Sequence, residues 1–270
     1  MYPLLTKLAR QQTAFGIATK GGPNLVRHLA AGGLDFVIVD LMHSAVDWTE
    51  AGYICAMARA DALFPFIRLQ AHPWGSGAKQ VDRRFQVDAA KAFALGAQGV
   101  IWSVTGAEEV AEVAHLSSDW HQGKPITSTA ELRAIKEEAT KTRLLIPLIE
   151  SLPALDELDA IAATHGIAGV FIGLTDLAQV LGRPHDYLHA DVIGAIERAV
   201  QIADKHGKIV LVNTGYTFDT IEGQIEHAKI LSGLGVRMIM LQSCEFFLYF
   251  ATRSVVKGFA GDTKKRNPDG

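Results

Sequence analysis

Two carboxylates that follow two successive apolar segments are the strongest chemical signal in the sequence. Glu150 ends the segment LLIPLIE (144–150), and Asp176 lies just beyond GVFIGL (169–174). Each segment is short, apolar and flanked by polar, helix-forming sequence, as expected for a buried parallel strand. A carboxylate at the end of such a strand lies at the carboxyl edge of the sheet, where α/β folds build their sites. We therefore predict that Glu150 and Asp176 lie close together at this edge.

The chemistry that such a pair favours is divalent metal binding. Two neighbouring carboxylates repel each other unless a cation lies between them. Ligands that are all oxygen suit a hard ion such as Mg²⁺ or Mn²⁺, with water and substrate in the remaining positions. Each residue alone could instead stabilise the start of the next helix, as acidic residues often do. Because the two carboxylates follow successive strands, a metal site is the preferred interpretation.

Three more ionisable residues are predicted to reach the same edge. Asp40 and His43 follow the second apolar segment, and Arg68 lies at the end of the third. A histidine beside a carboxylate can move a proton, a guanidinium can stabilise an oxyanion, and a metal can polarise a 2-oxo acid. Structural roles are the alternative: His43 as a hydrogen-bonded rim residue, Arg68 as the partner of a buried carboxylate, and Asp40 as the residue that orients His43.

The elements that must position these residues form a repeat. Eight apolar, strand-like segments alternate with segments of helical periodicity, which predicts a (β/α)₈ TIM barrel in one domain over residues 1–260. An open doubly wound sheet is the alternative, but the turn TKGGPN (19–24) lacks the glycine pattern of a dinucleotide site. The predicted strands are 14–19, 35–41, 64–69, 99–104, 144–150, 169–174, 208–213 and 237–242.

Three segments depart from the repeat. Residues 117–143 insert a polar loop and a charged helix after the fourth strand, on the side of the predicted site, as either a lid or solvated decoration. The tail at 261–270 is polar and predicted to be disordered. The last helical segment, 245–256, is apolar on every side, which predicts burial against a second subunit. In a monomer, the N-terminal segment 1–9 would have to cover it.

Composition limits the class of protein. Of 270 residues, 49% are hydrophobic and 20% charged, which is typical of a globular domain with a full core. The net charge of −3 provides no basic surface for nucleic acid. Cys55 and Cys244, the only cysteines, lie in apolar helical contexts, which predicts reduced thiols and a cytoplasmic location. No signal-peptide core is visible, and no apolar run approaches the roughly 20 residues that span a bilayer.

Five segments, in order and spacing, resemble one enzyme family. They are DFVIVDLMHSAVD, FIRLQ, GAQGV, LLIPLIES and GVFIGLTDLA. They are similar to the HpcH/HpaI family of metal-dependent, class II pyruvate aldolases, over about residues 14–250. The most specific part is the pairing of Glu150 with the motif FIGxxDL. The resemblance implies a barrel of the phosphoenolpyruvate/pyruvate type, in hexamers whose subunits exchange the C-terminal helix.

The resemblance also implies roles for individual residues. Glu150 and Asp176 would hold Mg²⁺, Mn²⁺ or Co²⁺, which pyruvate chelates through its carboxylate and keto oxygen. His43, Asp40 and Arg68 would handle the enolate. The backbone around Gly173 and Thr175 would receive the carboxylate of pyruvate. Arg68 would be a third contact to the substrate.

The implied reaction is cleavage or formation of a 4-hydroxy-2-oxo acid through a pyruvate enolate, with an aldehyde as second substrate. The sequence departs from the family pattern where Met42 replaces an acid, Leu148 replaces a glutamine, and Leu174-Thr175 replaces Pro-Ala. Metal-dependent decarboxylation of oxaloacetate or a related 2-oxo diacid is therefore the alternative, since it needs the same metal, arginine and acid–base group. A catalytically degenerate barrel is a third possibility.

Overall fold

The chain forms a closed barrel of eight parallel strands that pair in chain order, the last with the first. This computed structural model describes residues 2–69, 83–117, 128–131, 133, 142–215 and 220–266. The predicted (β/α)₈ barrel and its eight strand segments are confirmed. The strands are β1 (Ala14–Thr19), β2 (Phe36–Asp40), β3 (Phe64–Arg68), β4 (Gly99–Ser103), β5 (Leu144–Ile149), β6 (Gly169–Ile172), β7 (Ile209–Asn213) and β8 (Met238–Leu241).

Helices alternate with these strands. They are α1 (Pro3–Ala9), α2 (Leu25–Ala31), α3 (Trp48–Ala60), α4 (Arg83–Ala94), α5 (Ala107–Ser117), α6 (Leu152–Asp156), α7 (Leu158–Ala163), α8 (Leu174–Val180), α9 (Ala190–Lys205), α10 (Ile221–Gly233) and α11 (Cys244–Arg266). Helix α1 precedes the barrel, and two helices each occupy the β5–β6 and β6–β7 connections.

Two predicted segments are only partly described. Of the insertion at 117–143, residues 118–127, 132 and 134–141 lie outside the described residues, so its extra helix and its role as a lid stay predictions. Helix α11 continues to Arg266, past the boundary at 260 where the sequence predicts a disordered tail to begin. Residues 267–270 lie outside the described part.

The two-residue period of the strands separates two apolar layers. One layer, with Phe36, Phe66 and Phe171, fills the barrel, and the other, with Val37 and Ile172, faces the helices. Continuing the inward period by two residues on each strand brings a ring of mainly polar residues to the carboxyl end of the barrel. These residues are Asp40, Arg68, Ser103, Glu150, Gly173, Asn213 and Gln242.

Helix α1 closes the opposite, amino end of the barrel. Leu4 is fully buried in the apolar layer inside the barrel, and the ring of Tyr2 packs edge-on against Phe64, with 5.1 Å between centroids. Lys7 forms an ion pair with the buried Asp35 (2.8 Å) just before β2. The alternative in which the N-terminal segment covers the last helix is therefore wrong.

Helix α11 keeps an exposed apolar face. Leu248, Tyr249, Val255 and Val256 are between 55% and 73% exposed. Nearby, a groove of about 670 Å³ runs between α10 and the outer side of β1. The apolar part of its lining comprises Phe15, Ile221, Ile225, Ala228, Leu241 and Phe247.

The two cysteines are free thiols. Cys55 is buried in α3 and Cys244 is half-buried at the start of α11. Burial raises the pKa of Cys55 to about 12 and that of Cys244 to about 11. Across the described ranges, no helix combines the length and apolar character that crossing a membrane requires.

Sequence position predicts that the histidines other than His43 lie mostly on helix surfaces or in loops. His227 in α10 is instead buried. Its Nδ1 accepts a hydrogen bond from the backbone N–H of Gly215, and Gln224 Nε2 donates to the Gly215 carbonyl (both 3.2 Å). These bonds tie α10 to the turn after β7. Burial lowers the pKa of His227 to about 4, because a charged imidazole cannot be solvated there.

This histidine should make the protein less stable in acid. The unfolded chain takes up the proton near pH 6.5 and the folded chain only near pH 4, so the free energy of unfolding should fall as the pH drops between these values. The loss from His227 would be at most on the order of 3 kcal/mol. We expect His227→Gln to flatten the dependence in urea unfolding measured from pH 7.5 to 4.5. His165→Gln, at an exposed histidine, should keep the original slope; equal slopes in all three proteins would contradict the assignment.

Candidate functional site

Asp40 organises the turn that follows β2. Its Oδ1 accepts hydrogen bonds from the backbone N–H groups of Met42 (2.9 Å) and His43 (3.1 Å). The hydroxyl of Ser44 donates to the Asp40 carbonyl oxygen. These contacts leave Oδ2 to face the His43 imidazole, 3.5 Å from Nδ1. The buried carboxylate thus holds the backbone at His43 and faces its half-exposed imidazole, which is the geometry that an orienting role for Asp40 requires.

Arg68 lies between two buried carboxylates. Its Nη1 is 3.9 Å from Asp40 Oδ2, and its Nη2 is 3.8 Å from Glu150 Oε2. Both distances are those of ion pairs and too long for hydrogen bonds. The Nε atom is buried and has no hydrogen-bond partner among the described residues. The guanidinium is therefore held in place electrostatically, and no acceptor among the described residues lies within hydrogen-bond distance of its N–H donors.

Glu150 is buried at the end of β5. Its Oε1 accepts a hydrogen bond of 2.5 Å from the hydroxyl of Ser103. Burial raises the pKa of Glu150 above its usual value, and the Ser103 bond and the Arg68 charge oppose that rise. The Asp176 charge adds to the rise, and His43 opposes it. The Asp176 charge is thus felt at Glu150, as expected if the two predicted ligands lie at the same end of the barrel.

The end of β6 approaches Glu150 closely at Gly173. A Cβ at this position would lie 3.2 Å from Glu150 Cβ and 3.1 Å from Leu148 Cδ1, so a side chain would crowd the site. The next residues open α8, whose first N–H, from Leu174, donates to Asn213 Oδ1 (2.9 Å). Asn213 therefore anchors from β7 the segment that carries the predicted ligand Asp176.

Thr175 and Asp176 occupy the first turn of α8. Asp176 is exposed, and Thr175 is half-buried. The Thr175 hydroxyl oxygen is buried and has no hydrogen-bond partner in the part of the chain that the structure describes. A buried hydroxyl without a partner has an unfavourable free energy that a ligand's polar group can relieve. The resemblance implies a contact from the backbone around Thr175; the hydroxyl is a further polar group that the family pattern, with Ala at this position, does not include.

The residues present suit a hard divalent cation. Glu150 and Asp176 offer carboxylate oxygens, and the burial of Glu150 makes a neighbouring positive charge favourable. Within the described ranges, no group of three or more His, Cys, Asp or Glu side chains could cage a metal. A cation bound by two carboxylates would therefore depend on water and substrate for its remaining ligands, as a catalytic site requires.

Sequence reasoning missed three polar residues that support this site. Ser103 binds Glu150, Asn213 binds the Leu174 N–H, and the buried Gln242 donates to the Thr214 carbonyl oxygen. Because they are uncharged and form no motif, the sequence does not identify them as site residues. The available signal was the period of two: each lies two residues beyond an inward-facing apolar residue on its strand.

The structure shows the contacts of two residues that depart from the family pattern, Leu148 and Met42. Leu148 is buried in the apolar layer inside the barrel and pairs in register with Ser103 on β4. A polar group next to Glu150 thus comes from the neighbouring strand. Met42 contributes its backbone N–H to Asp40. Sequence position also places three other histidines, His72, His121 and His185, on the side of the predicted site, as surface residues. His185 is exposed, and residues 72 and 121 lie outside the described residues.

Comparison with known proteins places this geometry in a family. A profile of the HpcH/HpaI aldolase/citrate lyase family matches residues 19–241. A hydroxypyruvate/pyruvate aldolase from Paraburkholderia phytofirmans is 28% identical over 273 residues, covering 94% of this chain and 96% of that protein. A 5-keto-4-deoxy-D-glucarate aldolase from Escherichia coli is 41% identical over 71 residues, 26% of this chain and 28% of that protein.

A solved structure agrees in fold. The citrate synthase SbnG superposes with a TM-score of 0.78 at 24% identity, covering 99% of this chain and 100% of that one. At this identity the likeness shows the fold alone. The profile match, in contrast, spans most of the chain, including every strand end of the site except the last residues after β8. The chain therefore belongs to the HpcH/HpaI aldolase/citrate lyase family.

Proposed function

We propose that the protein is a metal-dependent aldolase that cleaves or forms a 4-hydroxy-2-oxo acid through a pyruvate enolate. The observation that carries this proposal is the position of the Arg68 guanidinium, which lies 3.8 Å from Glu150 and 3.9 Å from Asp40, the carboxylate that also faces His43. A relative over nearly the full length is a hydroxypyruvate/pyruvate aldolase, which supports the reaction class. The aldehyde partner stays unassigned.

Glu150 and Asp176 would hold the metal, for which Mg²⁺, Mn²⁺ and Co²⁺ are candidates. A bound divalent ion supplies Lewis acidity toward the oxo group of the substrate. Around it, Gly173 and Thr175 would receive the substrate carboxylate, since Gly173 leaves space beside Glu150 and the Thr175 hydroxyl has no partner among the described residues.

Arg68, His43 and Asp40 would carry out the remaining steps. In the cleavage direction, His43 removes the proton from the C4 hydroxyl, the C3–C4 bond breaks, and the aldehyde departs. Asp40 holds the imidazole and stabilises its charged form. The donors of Arg68 stabilise the negative oxygen of the pyruvate enolate. Return of a proton to C3 gives pyruvate and restores the starting state.

Decarboxylation of oxaloacetate or a related 2-oxo diacid is the second candidate. Met42 and the buried Leu148 are compatible with it, because the site lacks polar groups that the family pattern has at these positions and that loss of CO₂ does not need. Loss of CO₂ produces the same enolate but removes no hydroxyl proton. His43 would then act only in protonating C3, so the two reactions make different demands on this residue.

Pyruvate release should separate these functions. We expect pyruvate from a 4-hydroxy-2-oxo acid in the presence of Mg²⁺, Mn²⁺ or Co²⁺, and none after treatment with EDTA. Glu150→Gln and Asp176→Asn should each lower metal affinity by about tenfold or more, because each removes a charged ligand. Asp156→Asn, at an exposed acid in α6, is the matched control and should bind metal normally.

Other outcomes of this assay have defined meanings. Activity with oxaloacetate alone would favour the decarboxylase, and silence with both substrates would favour a degenerate barrel. Full activity in a metal-free sample would contradict the metal-dependent assignment.

His43→Ala should lower kcat for aldol cleavage by roughly 10²–10⁴-fold while leaving metal affinity nearly unchanged. Decarboxylation by the same variant should be less affected, because no hydroxyl proton is removed. Arg68→Lys should also lower kcat, since an ammonium cannot reproduce the planar guanidinium. His28→Ala, at an exposed histidine of α2, serves as the control. Wild-type turnover by His43→Ala would require another proton carrier.

We also propose a homo-oligomer in which subunits exchange α11. The exposed apolar face of α11, which includes Leu248 and Val255, is too extensive for an isolated subunit to leave in water without cost. The apolar groove beside α10 offers a complementary surface for a helix from a second copy. The hexamer and the cytoplasmic location that the sequence suggests stay predictions.

Light scattering coupled to size exclusion should give a mass of several chains at micromolar concentration. Replacing Leu248 and Val255 together by Asp should dissociate the assembly, because charge would be buried in an apolar interface. Deleting residues 261–270 should leave the number of chains in the oligomer unchanged. A mass near one chain for the unsubstituted protein would refute the exchange.

A further inference from the structure

We propose that Ser103 is a positioning residue for Glu150, selecting which carboxylate oxygen faces the metal. This inference rests on the proposed metal-dependent function and goes beyond it, because Ser103 bears no charge and belongs to no motif. Its hydroxyl donates a 2.5 Å hydrogen bond to Glu150 Oε1. That bond occupies one oxygen and leaves Oε2 for a cation.

The surroundings of Oε2 agree with a role for this oxygen in binding a cation. It faces Arg68 at 3.8 Å, beyond hydrogen-bond distance. A Cβ on Gly173 would lie 3.4 Å from Oε2, so the missing side chain keeps this oxygen approachable from the end of β6. Asp176 follows three residues later in the first turn of α8. Oε2 is thus the oxygen that faces the end of β6, where the segment that carries Asp176 begins.

Ser103 is the group placed to hold the carboxylate from the other side. On β5 itself the preceding inward-facing residue is Leu148, which is apolar and cannot donate a hydrogen bond. Ser103 pairs in register with Leu148 from the adjacent strand β4. Because its Cα is fixed by the barrel and its side chain has a single torsion, its hydroxyl defines a direction that the longer glutamate side chain alone would not keep.

A purely structural role for Ser103 makes a different prediction. If the hydroxyl only satisfied a buried carboxylate, its removal would lower the stability of the barrel without a specific effect on metal affinity. If it orients Glu150, removal should weaken metal binding in protein that remains folded. Orientation of a ligand by a hydrogen bond typically contributes 10- to 100-fold to metal affinity.

The experiment measures Mn²⁺ affinity of the full-length protein from the electron paramagnetic resonance of free Mn²⁺. Ser103→Thr and Ser103→Val form the decisive pair, because they have nearly the same shape and differ in the hydroxyl. We expect the Thr variant to bind within about threefold of wild type and the Val variant about tenfold more weakly. Ser103→Ala should resemble Val. Ser151→Ala, which removes a helix cap next to Glu150 without touching its carboxylate, should bind normally.

Far-ultraviolet circular dichroism and thermal unfolding would confirm that each variant is folded before titration. Equal Mn²⁺ affinity in the Thr and Val variants would overturn the role of Ser103, whether both matched wild type or both were weakened. An equally large loss in Ser151→Ala would also overturn it, since the effect would then reflect general loosening of the β5 end. If the wild-type protein bound no Mn²⁺, the proposed metal-dependent function would be contradicted. If it bound Mn²⁺ but the Thr and Val variants did not differ, only the role of Ser103 would be contradicted.

Discussion

The burial of a carboxylate at the end of a barrel strand is the constraint on which the site depends. Glu150 has left water, and its charged form needs compensation from donors and positive charge around it. Ser103 supplies a hydrogen bond, and Arg68 supplies a charge at ion-pair distance. This compensation is incomplete, since the pKa of Glu150 stays raised. An added cation would complete it, which is the physical reason for proposing a metal here.

Arg68 is itself held by the balance between Asp40 and Glu150. A guanidinium between two carboxylates at 3.8–3.9 Å is fixed in position but is not saturated with hydrogen bonds. The other oxygen of Asp40 accepts hydrogen bonds from the backbone of the turn that carries His43. The chain of contacts from His43 to Glu150 thus couples the residues that we propose as proton carrier, oxyanion donor and metal ligand, as one preorganised arrangement.

The barrel makes this arrangement possible because its strands keep a constant two-residue period and a defined register with their neighbours. Each strand advances the inward face by two residues, so Ser103 and Asn213 join the charged residues at the same level. Their neighbours in sequence, Trp102 and Val212, face the helices instead. A slip of one residue in either strand would exchange these faces and remove the support. The register of the β4–β5 and β6–β7 pairs is therefore as important to the site as the residue types.

The amino-acid sequence was sufficient to predict the eight strands, the closed (β/α)₈ architecture and the convergence of Asp40, Arg68 and Glu150. Apolar period and strand length are local signals, and the end of a parallel strand always points to the same edge of the sheet. The charged residues were visible because charge is rare at the end of an apolar segment. The order of motifs further indicated the family.

Other features of the site depend on contacts between residues that are far apart in the chain, which a local sequence pattern does not contain. The support of Glu150 by Ser103 joins residues 47 positions apart, and the anchoring of Leu174 by Asn213 joins residues 39 apart. Burial of His227 and the placement of α1 at the amino end of the barrel likewise depend on packing between distant elements. Uncharged polar residues have the same local signature whether they face water or a carboxylate. Only the register between strands brings their donors to a partner, and that register is a property of the closed barrel.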